Sequence, residues 1–373
     1  MSKLYSHSAH EVLKTQLESV VEEVKNKTPP RFRIRIRSLN NTVYDEKHRM
    51  LVLGNKALER RFNSIAEVRA FMQTCLMSRA IYDALKGGDH PTIRDLYYYA
   101  LHTIEKTNIE SFNGQDESDA IIQDIEVLTG LLREDMGVVA DSRGSIVGNI
   151  VLESKGNKID CSRLGIGSFS IPSLCDQLRI NSVDAEYVLV IEKDAIFQRL
   201  NDLEYWRKNK CILVTGRGQP DRATRRMARR LIDEFKLPMY VLTDADPYGW
   251  YIYSTYKAGS VSLSYESFRL ACPEASFLGM SMSDIEKYDI PKDHLIKASD
   301  MDIKRAKELL YVDEKTGQAR YPWFAESAKW NKEIKSFLRK KLKAEIESKS
   351  AHGFRFLSDV YLPEKISTRD FIN

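Results

Sequence analysis

The chain has 373 residues, of which 43% are hydrophobic, and its formal net charge is +4 at pH 7. This length suits two or three domains with full cores, and the composition excludes a disordered or low-complexity chain. Because the charge is nearly balanced, any affinity for polyanions must come from local clusters. Five cysteines without a C-x-x-C pair predict a reduced protein. Neither a signal peptide nor an apolar run of membrane length is present, so we expect a soluble, cytoplasmic protein without a membrane partner.

The first sixty residues predict a small segment ahead of the main domains. Residues 1–28 are typical of an amphipathic, charged helix. Residues 31–37 read RFRIRIR, and this period of two predicts a strand with one apolar and one basic face. Residues 49–54 are expected to pair with that strand. Two interpretations of its basic face are equally supported: a solvated surface, or a surface that binds a partner or a phosphate.

Helices followed by a hairpin are predicted for the next ninety residues. Ser64 with Glu67, and Thr92 with Asp95, have the spacing of a capping box at a helix start. This order of elements is typical of a winged-helix unit, whose helix enters a DNA groove. The predicted elements are helices 64–85, 93–105, 119–128 and 129–136 and a hairpin over residues 138–152.

The helix predicted for residues 93–105 carries three consecutive tyrosines. Its apolar positions recur at about 100° per residue and place Tyr97 on the packed face. Tyr98 lies roughly 120° from the centre of that face, on the same side as Arg94 one turn earlier. An arginine in that position can hold a phosphate beside the tyrosine hydroxyl. Tyrosines in a row are more often packing residues than catalytic ones, and the helix geometry also leaves Tyr99 open.

Beyond the predicted hairpin, strand and helix patterns alternate, which predicts a parallel sheet covered by helices. The apolar runs at 187–191 (YVLVI) and 239–243 (MYVLT) suit strands buried on both faces. Glu192 follows the first run, and Asp244 and Asp246 follow the second. Open α/β sheets bind ligands at the carboxyl ends of their strands, and two such carboxylates can share one divalent cation. A solvated acidic turn is the alternative for an isolated Asp-x-Asp, but the glutamate after a neighbouring strand favours the shared site.

A glycine turn and a basic helix follow the strand at residues 211–215. Gly216 and Gly218 precede a predicted helix at residues 221–235, and a glycine turn at a helix start can receive a phosphate. Such a loop often does no more than cap its helix. A helix spreads its arginines around its sides, so we expect only some of them to touch DNA phosphates. The candidates are Arg222, Arg225 and Arg226.

The last seventy-five residues predict two further helices. Ser299 and Asp302 form a capping box for a helix to residue 310, and a polar loop follows at residues 311–320. Residues 330–348 predict a long charged helix. These elements either pack across the sheet or join two subunits, and the sequence leaves both alternatives open.

Several segments, in this order, resemble the A subunit of archaeal DNA topoisomerase VI. That family also includes the meiotic protein that makes recombination-initiating double-strand breaks. The resemblance covers nearly the whole chain from about residue 49, and only the segment 312–320 looks longer than its family counterpart. The segments are TIRDLYYY, FNGQDESDAIIQDIE, YVLVIEKDAIFQRL, TGRGQPDRATRRMARRL, VLTDADPYGWYIYS, DMDIKRAKELL and FLSDVYLPEKI.

The resemblance implies a multidomain α/β protein. It implies a winged-helix, catabolite-activator-like domain with the nucleophilic tyrosine, then a Toprim domain whose parallel, Rossmann-like sheet holds Mg²⁺. We expect residues 1–63 to form an N-terminal appendage that docks an ATPase partner. Residues 64–152 would be the winged-helix domain, and residues 153–373 the Toprim domain with a C-terminal helical elaboration.

The resemblance also assigns the site residues. The family's tyrosine falls four residues after its arginine, hence on Tyr98 after Arg94, and its metal-binding acids fall on Glu192, Asp244 and Asp246. Glu192 would either ligate the metal or move the proton at the leaving 3′ oxygen. Both roles stay open.

The implied function is the DNA-cleaving and rejoining subunit of an ATP-dependent type IIB DNA topoisomerase. It would act on double-stranded DNA as a homodimer, with a separate ATPase B subunit in an A2B2 heterotetramer. Each site would combine Tyr98 of one subunit with the acids of the other. The chain itself has no G-x-x-x-x-G-K-[ST] loop. The alternatives are a recombination enzyme that breaks DNA without strand passage, and a Toprim protein that binds DNA without covalent attachment.

Overall fold

The computed structural model describes residues 9–373, and these form two compact units. The first unit contains residues 9–43 and Leu53–Asp141, and the second contains Tyr44–Val52 and Ser142–Asn373. The first eight residues of the predicted N-terminal helix lie outside the described residues. The described residues up to 43 thus share a unit with the helices that follow, and the three predicted domains stay a prediction. No helix in the described part of the chain is long and apolar enough to cross a membrane.

The first unit is built from helices and short strands. Leu13, Met77, Leu96 and Ile125 are buried in its main core. From the amino terminus, the elements up to residue 129 are α1 (Ala9–Lys25), β1 (Arg31–Arg35), β2 (Thr42–Asp45), β3 (Met50–Leu53), β4 (Ala57–Arg61), α2 (Val68–Gly87), α3 (Ile93–Ala100) and α4 (Gln115–Thr129). Of these, β2 runs from the first unit into the second, and β3 lies almost wholly in the second unit.

The arginine-rich strand β1 has the predicted period of two. Phe32 and Ile34 are buried beside Phe71 of α2, and the arginines of β1 are exposed. Its predicted partner was wrong, because β1 pairs antiparallel with β4 and not with residues 49–54. Those residues contribute β3, which pairs with β2 across a short turn. The short connection favours this pairing of strands that are adjacent in sequence.

Helix α2 begins at Val68 without the predicted capping box. The Glu67 carboxylate instead accepts the Arg61 N–H at 3.0 Å, which ties the start of the helix to β4. At the other end, Gly88 has φ 75° and closes the helix, as predicted.

Helix α3 has the predicted capping box but is shorter than predicted. Thr92 Oγ1 accepts the Asp95 N–H at 3.0 Å, and the Asp95 carboxylate accepts the Thr92 N–H at 2.8 Å. The helix ends at Ala100, because the Ser111 hydroxyl donates to the Ala100 carbonyl and also accepts the His102 N–H. The capping box therefore sets the start of α3 and the direction in which its tyrosines point, and the Ser111 hydrogen bonds set its end.

The second unit contains a six-stranded sheet with helices on both sides. Its elements are β5 (Ser145–Val147), β6 (Ile150–Ser154), β7 (Asn157–Asp160), β8 (Phe169–Ser170), β9 (Arg179–Val183), β10 (Tyr187–Ile191), α5 (Asp194–Asp202), α6 (Tyr205–Lys208), β11 (Cys211–Thr215), α7 (Arg222–Phe235), β12 (Met239–Leu242), α8 (Pro247–Ala258), α9 (Ser267–Leu270), β13 (Ser276–Gly279), α10 (Met282–Lys287), β14 (Ile296–Lys297), α11 (Asp300–Leu309), α12 (Pro322–Ala325), α13 (Ala328–Lys340), β15 (Leu342–Lys343) and α14 (Leu362–Ser367).

The sheet is mostly parallel, as predicted. Its strand order is β13-β12-β10-β11-β5-β8, and the first four strands run parallel to one another. Strand β5 is antiparallel to β11, and β8 is antiparallel to β5. Every residue of β10 and β11 is buried, as expected for strands covered by helices on both faces.

Two predictions for residues 119–152 were wrong. One helix, α4, stands where two were predicted, because Gly130 at φ 74° ends it and residues 133–137 form turns. The predicted hairpin at 138–152 does not form either. Strands β5 and β6 lie in different sheets, and Gly148 at φ 142° turns the chain between them. The winged-helix assignment of residues 64–152 therefore stays a prediction.

Helix α13 packs into the core of the second unit, one of the two alternatives that the sequence left open. Trp330, Ile334 and Phe337 on its inner face are fully buried. The helix ends at Lys340, earlier than predicted, because Lys341 adopts φ 54°. The chain then crosses to the sheet, where the Ala344 carbonyl accepts the Ala245 N–H at 2.9 Å.

Trp330→Ala should lower the free energy of unfolding by about 3 to 5 kcal/mol, because a large buried side chain is removed. Trp330 is fully buried, with its ring centroid 4.7 Å from that of Phe277 and 4.9 Å from that of Phe324. Urea unfolding of the full chain, followed by circular dichroism, measures the loss. Phe354→Ala is the control, because Phe354 is 80% exposed. Equal stability of the two variants would contradict the packing of α13.

Candidate catalytic site

The pairing of β10 with β12 brings three carboxylates to one edge of the sheet. Glu192 follows β10, and Asp244 and Asp246 follow β12. The Glu192 N–H donates to the Leu242 carbonyl at 3.0 Å, and the Asp244 N–H donates to Glu192 Oε2 at 3.0 Å. The register of the two strands therefore continues into the acidic residues and fixes the first two side by side.

Backbone groups orient the two aspartates. Asp244 Oδ1 accepts the Ile346 N–H at 2.8 Å, and Asp246 Oδ1 accepts the Gly249 N–H at 2.7 Å as the N-cap of α8. A Cβ on Gly249 would lie 2.6 Å from the Asp244 carbonyl oxygen, so the first turn of α8 requires glycine there. Each carboxylate keeps a second oxygen for another partner.

Burial raises the pKa of all three carboxyls at this edge. It raises the pKa of Glu192 to about 8, with a further contribution from the neighbouring Asp244. Burial also raises the pKa of Asp244 to about 6, and it raises the pKa of Asp246 above its ordinary value. Ionised carboxylates are costly here unless a cation lies beside them.

Two lysines supply part of that charge. Lys193 Nζ lies 3.1 Å from Asp244 Oδ2, and Lys343 Nζ lies 3.7 Å from Asp246 Oδ2. Among the residues described, no three Asp, Glu, His or Cys side chains are arranged closely enough to share one metal ion. The donor chemistry nevertheless fits Mg²⁺, which prefers a few hard carboxylate oxygens and keeps several waters.

The three adjacent tyrosines on α3 have different environments. Tyr98 is 58% exposed, and the Arg94 guanidinium carbon lies 5.8 Å from the centre of its ring. Hydrogen bonding to Tyr98 raises the pKa of Arg94. Tyr97 is half-buried and packs edge-on against Phe112. Tyr98 is thus exposed, and its ring lies beside Arg94.

Tyr99 is exposed as well, but its hydroxyl is engaged. It donates to Asp83 Oδ2 at 3.1 Å, and this hydrogen bond raises the pKa of Tyr99. A phenol with a raised pKa is a poorer source of phenolate. Tyr98 and Arg94 belong to the first compact unit, and the three acids belong to the second.

The arginines of α7 are largely engaged inside the second unit. Arg225 is fully buried, and burial lowers its pKa. Arg222 is 7% exposed and pairs with Glu266 at 2.7 Å. Arg226 pairs with Asp176 at 2.7 Å. The three arginines are therefore buried or paired within this unit, and their contact with phosphate stays a prediction.

The glycine turn before α7 reaches the acidic edge. The Gly218 N–H donates to the Glu192 carbonyl at 2.9 Å. Between the two glycines, Arg217 adopts φ 55°, and its side chain pairs with Asp194 at 3.2 Å. The turn therefore supports the end of β10 at the acidic edge.

Sequence reasoning missed the residues around the carboxylates. Lys193 follows Glu192 directly, so its position next to the site was a usable signal. Ile346 and Lys343 come from a segment about a hundred residues beyond Asp244, and no local pattern marks them.

Glu192→Gln should make the stability of the protein less dependent on pH. Burial holds the pKa of Glu192 at about 8, above the ordinary value of 4.5. Its contribution to the free energy of unfolding is therefore fully present below pH 4.5 and is lost as the pH rises through about 8. Glutamine stays neutral, so in chelator the melting temperature of the variant should fall less between about pH 5 and about pH 9.

The exposed Glu186, at the opposite end of β10, offers the matched control. Glu186→Gln should show the same fall in melting temperature as the unchanged chain. A Glu192→Gln variant with that same fall would contradict the buried, proton-binding state of Glu192.

Comparisons of sequence families cover most of the chain. Residues 187–366 match the Toprim domain of the topoisomerase 6 A subunit and Spo11. Residues 69–138 match the family described as "Type IIB DNA topoisomerase". Residues 143–184 match "All-beta domain in DNA topoisomerase VI alpha subunit", and strands β5 to β9 lie in this range.

Individual relatives match over nearly their full length. A protein of Aeropyrum pernix named as the A subunit of type 2 DNA topoisomerase 6 is 47% identical over 98% of this chain and 96% of its own. A protein of Pyrococcus abyssi with the same name is 38% identical over 97% of this chain and 95% of its own. The A subunit of DNA topoisomerase 6 from Arabidopsis thaliana is 33% identical over 96% of this chain and 81% of its own.

Proposed function

The chain belongs to the family of type IIB DNA topoisomerase A subunits, and we propose that Tyr98 is the nucleophile with which it cleaves DNA. Members of this family are the subunits that cut and rejoin the DNA double helix. The observation that carries the assignment of Tyr98 is its exposure beside Arg94, while Tyr97 packs and Tyr99 binds Asp83.

The chemistry requires positive charge near the tyrosine. With a pKa near 10, only about 0.1% of a tyrosine is phenolate at pH 7, a deficit worth roughly 4 kcal/mol. Arg94 supplies a permanent positive charge one helical turn away, where it can also bind the phosphate. This arrangement stabilises both the phenolate and the charge that builds on the phosphate during attack.

The reaction exchanges one phosphate ester for another. The Tyr98 hydroxyl gives up its proton and forms a bond to phosphorus, while the bond from phosphorus to the 3′ oxygen breaks and that oxygen takes up a proton. The product is a 5′-phosphotyrosyl end, and attack by the 3′ hydroxyl reverses it. Because the number of phosphodiester bonds is unchanged, rejoining needs no external energy source.

We propose Mg²⁺ as the cofactor, held by Glu192, Asp244 and Asp246. When bound, it would neutralise charge on the phosphate and on the leaving oxygen. Proton transfer is the alternative role of Glu192, because in the absence of metal burial raises its pKa to about 8 and the carboxyl holds a proton at neutral pH. It is then able to donate that proton to the 3′ oxygen.

Tyr98→Phe should abolish covalent attachment to DNA, because it removes the attacking oxygen and keeps the ring. The measurement is a denaturing gel after incubation with end-labelled duplex, together with a binding assay that should stay near normal. Tyr97→Phe and Tyr99→Phe are the matched controls and should keep attachment. A protein-linked 5′ end formed by Tyr98→Phe would show that the nucleophile lies elsewhere.

Asp246→Asn and Asp244→Asn should lose cleavage, and excess Mg²⁺ should restore part of it. Removing one carboxylate weakens a site that already keeps several waters. Glu186→Gln, at the far end of β10, is the control and should cleave normally. Full cleavage by either aspartate variant in the presence of chelator would rule out the proposed metal site.

We propose that the chain acts as a homodimer and depends on a separate ATPase partner, the B subunit, to pass one duplex through another. The described part of α1 offers a candidate docking surface, since Val21 and Val24 are about half exposed. Leu13 of the same helix is fully buried, so removing the helix would disturb the first unit itself. Substitutions at the exposed valines therefore make a cleaner test than a deletion.

Val21→Asp with Val24→Asp should weaken assembly with the ATPase partner while DNA binding stays unchanged. Charged side chains on an apolar contact must be desolvated on assembly, which costs affinity. Ile65→Asp is the control, because Ile65 is 99% exposed in the same unit. Size-exclusion chromatography of the two mixed proteins measures assembly. Normal assembly of the double variant, or ATP hydrolysis by the pure chain, would contradict this division of labour.

A further inference from the structure

Lys193 lies among three carboxylates at the acidic edge. Its Nζ is 3.1 Å from Asp244 Oδ2, 3.2 Å from Glu345 Oε2 and 2.9 Å from Glu347 Oε2. The lysine follows β10, the aspartate follows β12, and the two glutamates lie beyond β15. One ammonium thus joins a proposed metal ligand to the C-terminal part of the chain.

The carboxylates around Lys193 differ in exposure. The Asp244 side chain is only 9% exposed, whereas those of Glu345 and Glu347 are 51% and 39% exposed. The lysine is itself 25% exposed, and its stem has four rotatable bonds. The ammonium therefore has one inner partner, the buried Asp244, and two outer partners, the more exposed Glu345 and Glu347.

We propose that Lys193 is a resident counter-ion of Asp244, which a divalent cation displaces onto Glu345 and Glu347. This inference rests on the metal site proposed above. An ammonium and a dication beside one carboxylate repel each other, so binding of the dication weakens the contact of the ammonium with Asp244. Leaving a partly buried ammonium without a partner is costly as well. The outer glutamates remove that second cost, because the displaced ammonium stays paired.

Lys343 provides a comparison at the neighbouring ligand. Its Nζ lies 3.0 Å from Asp302 Oδ2 and 3.7 Å from Asp246 Oδ2. Its contact with the proposed ligand is therefore the longer one. Lys193 Nζ, in contrast, lies only 3.1 Å from its proposed ligand, Asp244. Entry of a cation therefore depends on the movement of Lys193 more than on that of Lys343.

The proposal makes Lys193 a positioning residue that sets the apparent metal affinity. If the lysine leaves Asp244 in only about one molecule in ten, the apparent dissociation constant is about tenfold weaker than the intrinsic one. Lys193→Met keeps most of the stem and removes the charge. It should therefore tighten binding of Mn²⁺, used as the probe ion, by about tenfold.

The test is titration of the full chain with Mn²⁺ at pH 8, with free Mn²⁺ measured by electron paramagnetic resonance. Lys193→Arg keeps the charge and should not tighten binding. Lys210→Met removes a lysine just before β11, at the far end of the sheet, and should leave the affinity unchanged. Melting temperatures in chelator verify that each variant is folded.

A double-mutant cycle separates displacement from a general effect of charge. Glu345→Gln with Glu347→Gln should weaken Mn²⁺ binding several-fold when Lys193 is present, because the ammonium loses its outer partners. In the Lys193→Met background the same change should have little effect. An equal effect in both backgrounds, or a Lys193→Met variant that binds no more tightly, overturns the proposal.

Asp244→Asn distinguishes this failure from failure of the metal site. If Asp244→Asn abolishes Mn²⁺ binding but the cycle shows no coupling, the metal site stands and only the role of Lys193 is overturned. If Asp244→Asn binds as much Mn²⁺ as the unchanged chain, or if neither binds any, both proposals are overturned together.

Discussion

The parallel pairing of β10 with β12 is the constraint on which the proposed catalytic site depends. Its hydrogen bonds continue past the strand ends, so that Glu192 binds the Leu242 carbonyl and then accepts the Asp244 N–H. A slip of one residue would turn the side chains of one strand to the opposite face. Burial of both faces of β10 resists such a slip, since each face packs against helices. The hydrophobic core thus sets the positions of the acidic residues.

Charge balance at this edge links the fold to the proposed chemistry. Burial makes the carboxylates hard to ionise, and the protein places lysines where a cation would otherwise be needed. An edge with this composition gains stability when it binds a dication, because the carboxylates then ionise beside a compensating charge. Without a metal ion, burial raises the pKa of Glu192 to about 8 and its carboxyl is neutral, whereas a bound dication would favour its ionised form. The proposed metal binding and proton transfer would both depend on this set of buried carboxylates and lysines.

The elements that sequence predicted well are those that local patterns determine. The Thr92 and Asp95 capping box, the buried strands and the outward side of Tyr98 follow from spacing within one or two turns. Contacts between distant segments were not predictable in this way. The pairing of β1 with β4, and the partners of the α7 arginines, depend on residues far away in sequence. The lysines and the backbone amide at the acidic edge were missed for the same reason.

The central proposal is the one that the family resemblance implies, in which Tyr98 of one protomer works with the acidic edge of its partner. Its most direct test co-expresses Tyr98→Phe chains with Asp244→Asn chains under two affinity tags and isolates the mixed dimer. Such a dimer keeps one complete site, formed by the intact tyrosine of one chain and the intact acids of the other. The account predicts attachment of one chain to one DNA strand by the mixed dimer, and none by either parent homodimer. A mixed dimer that folds and binds DNA but forms no covalent product would contradict the claim.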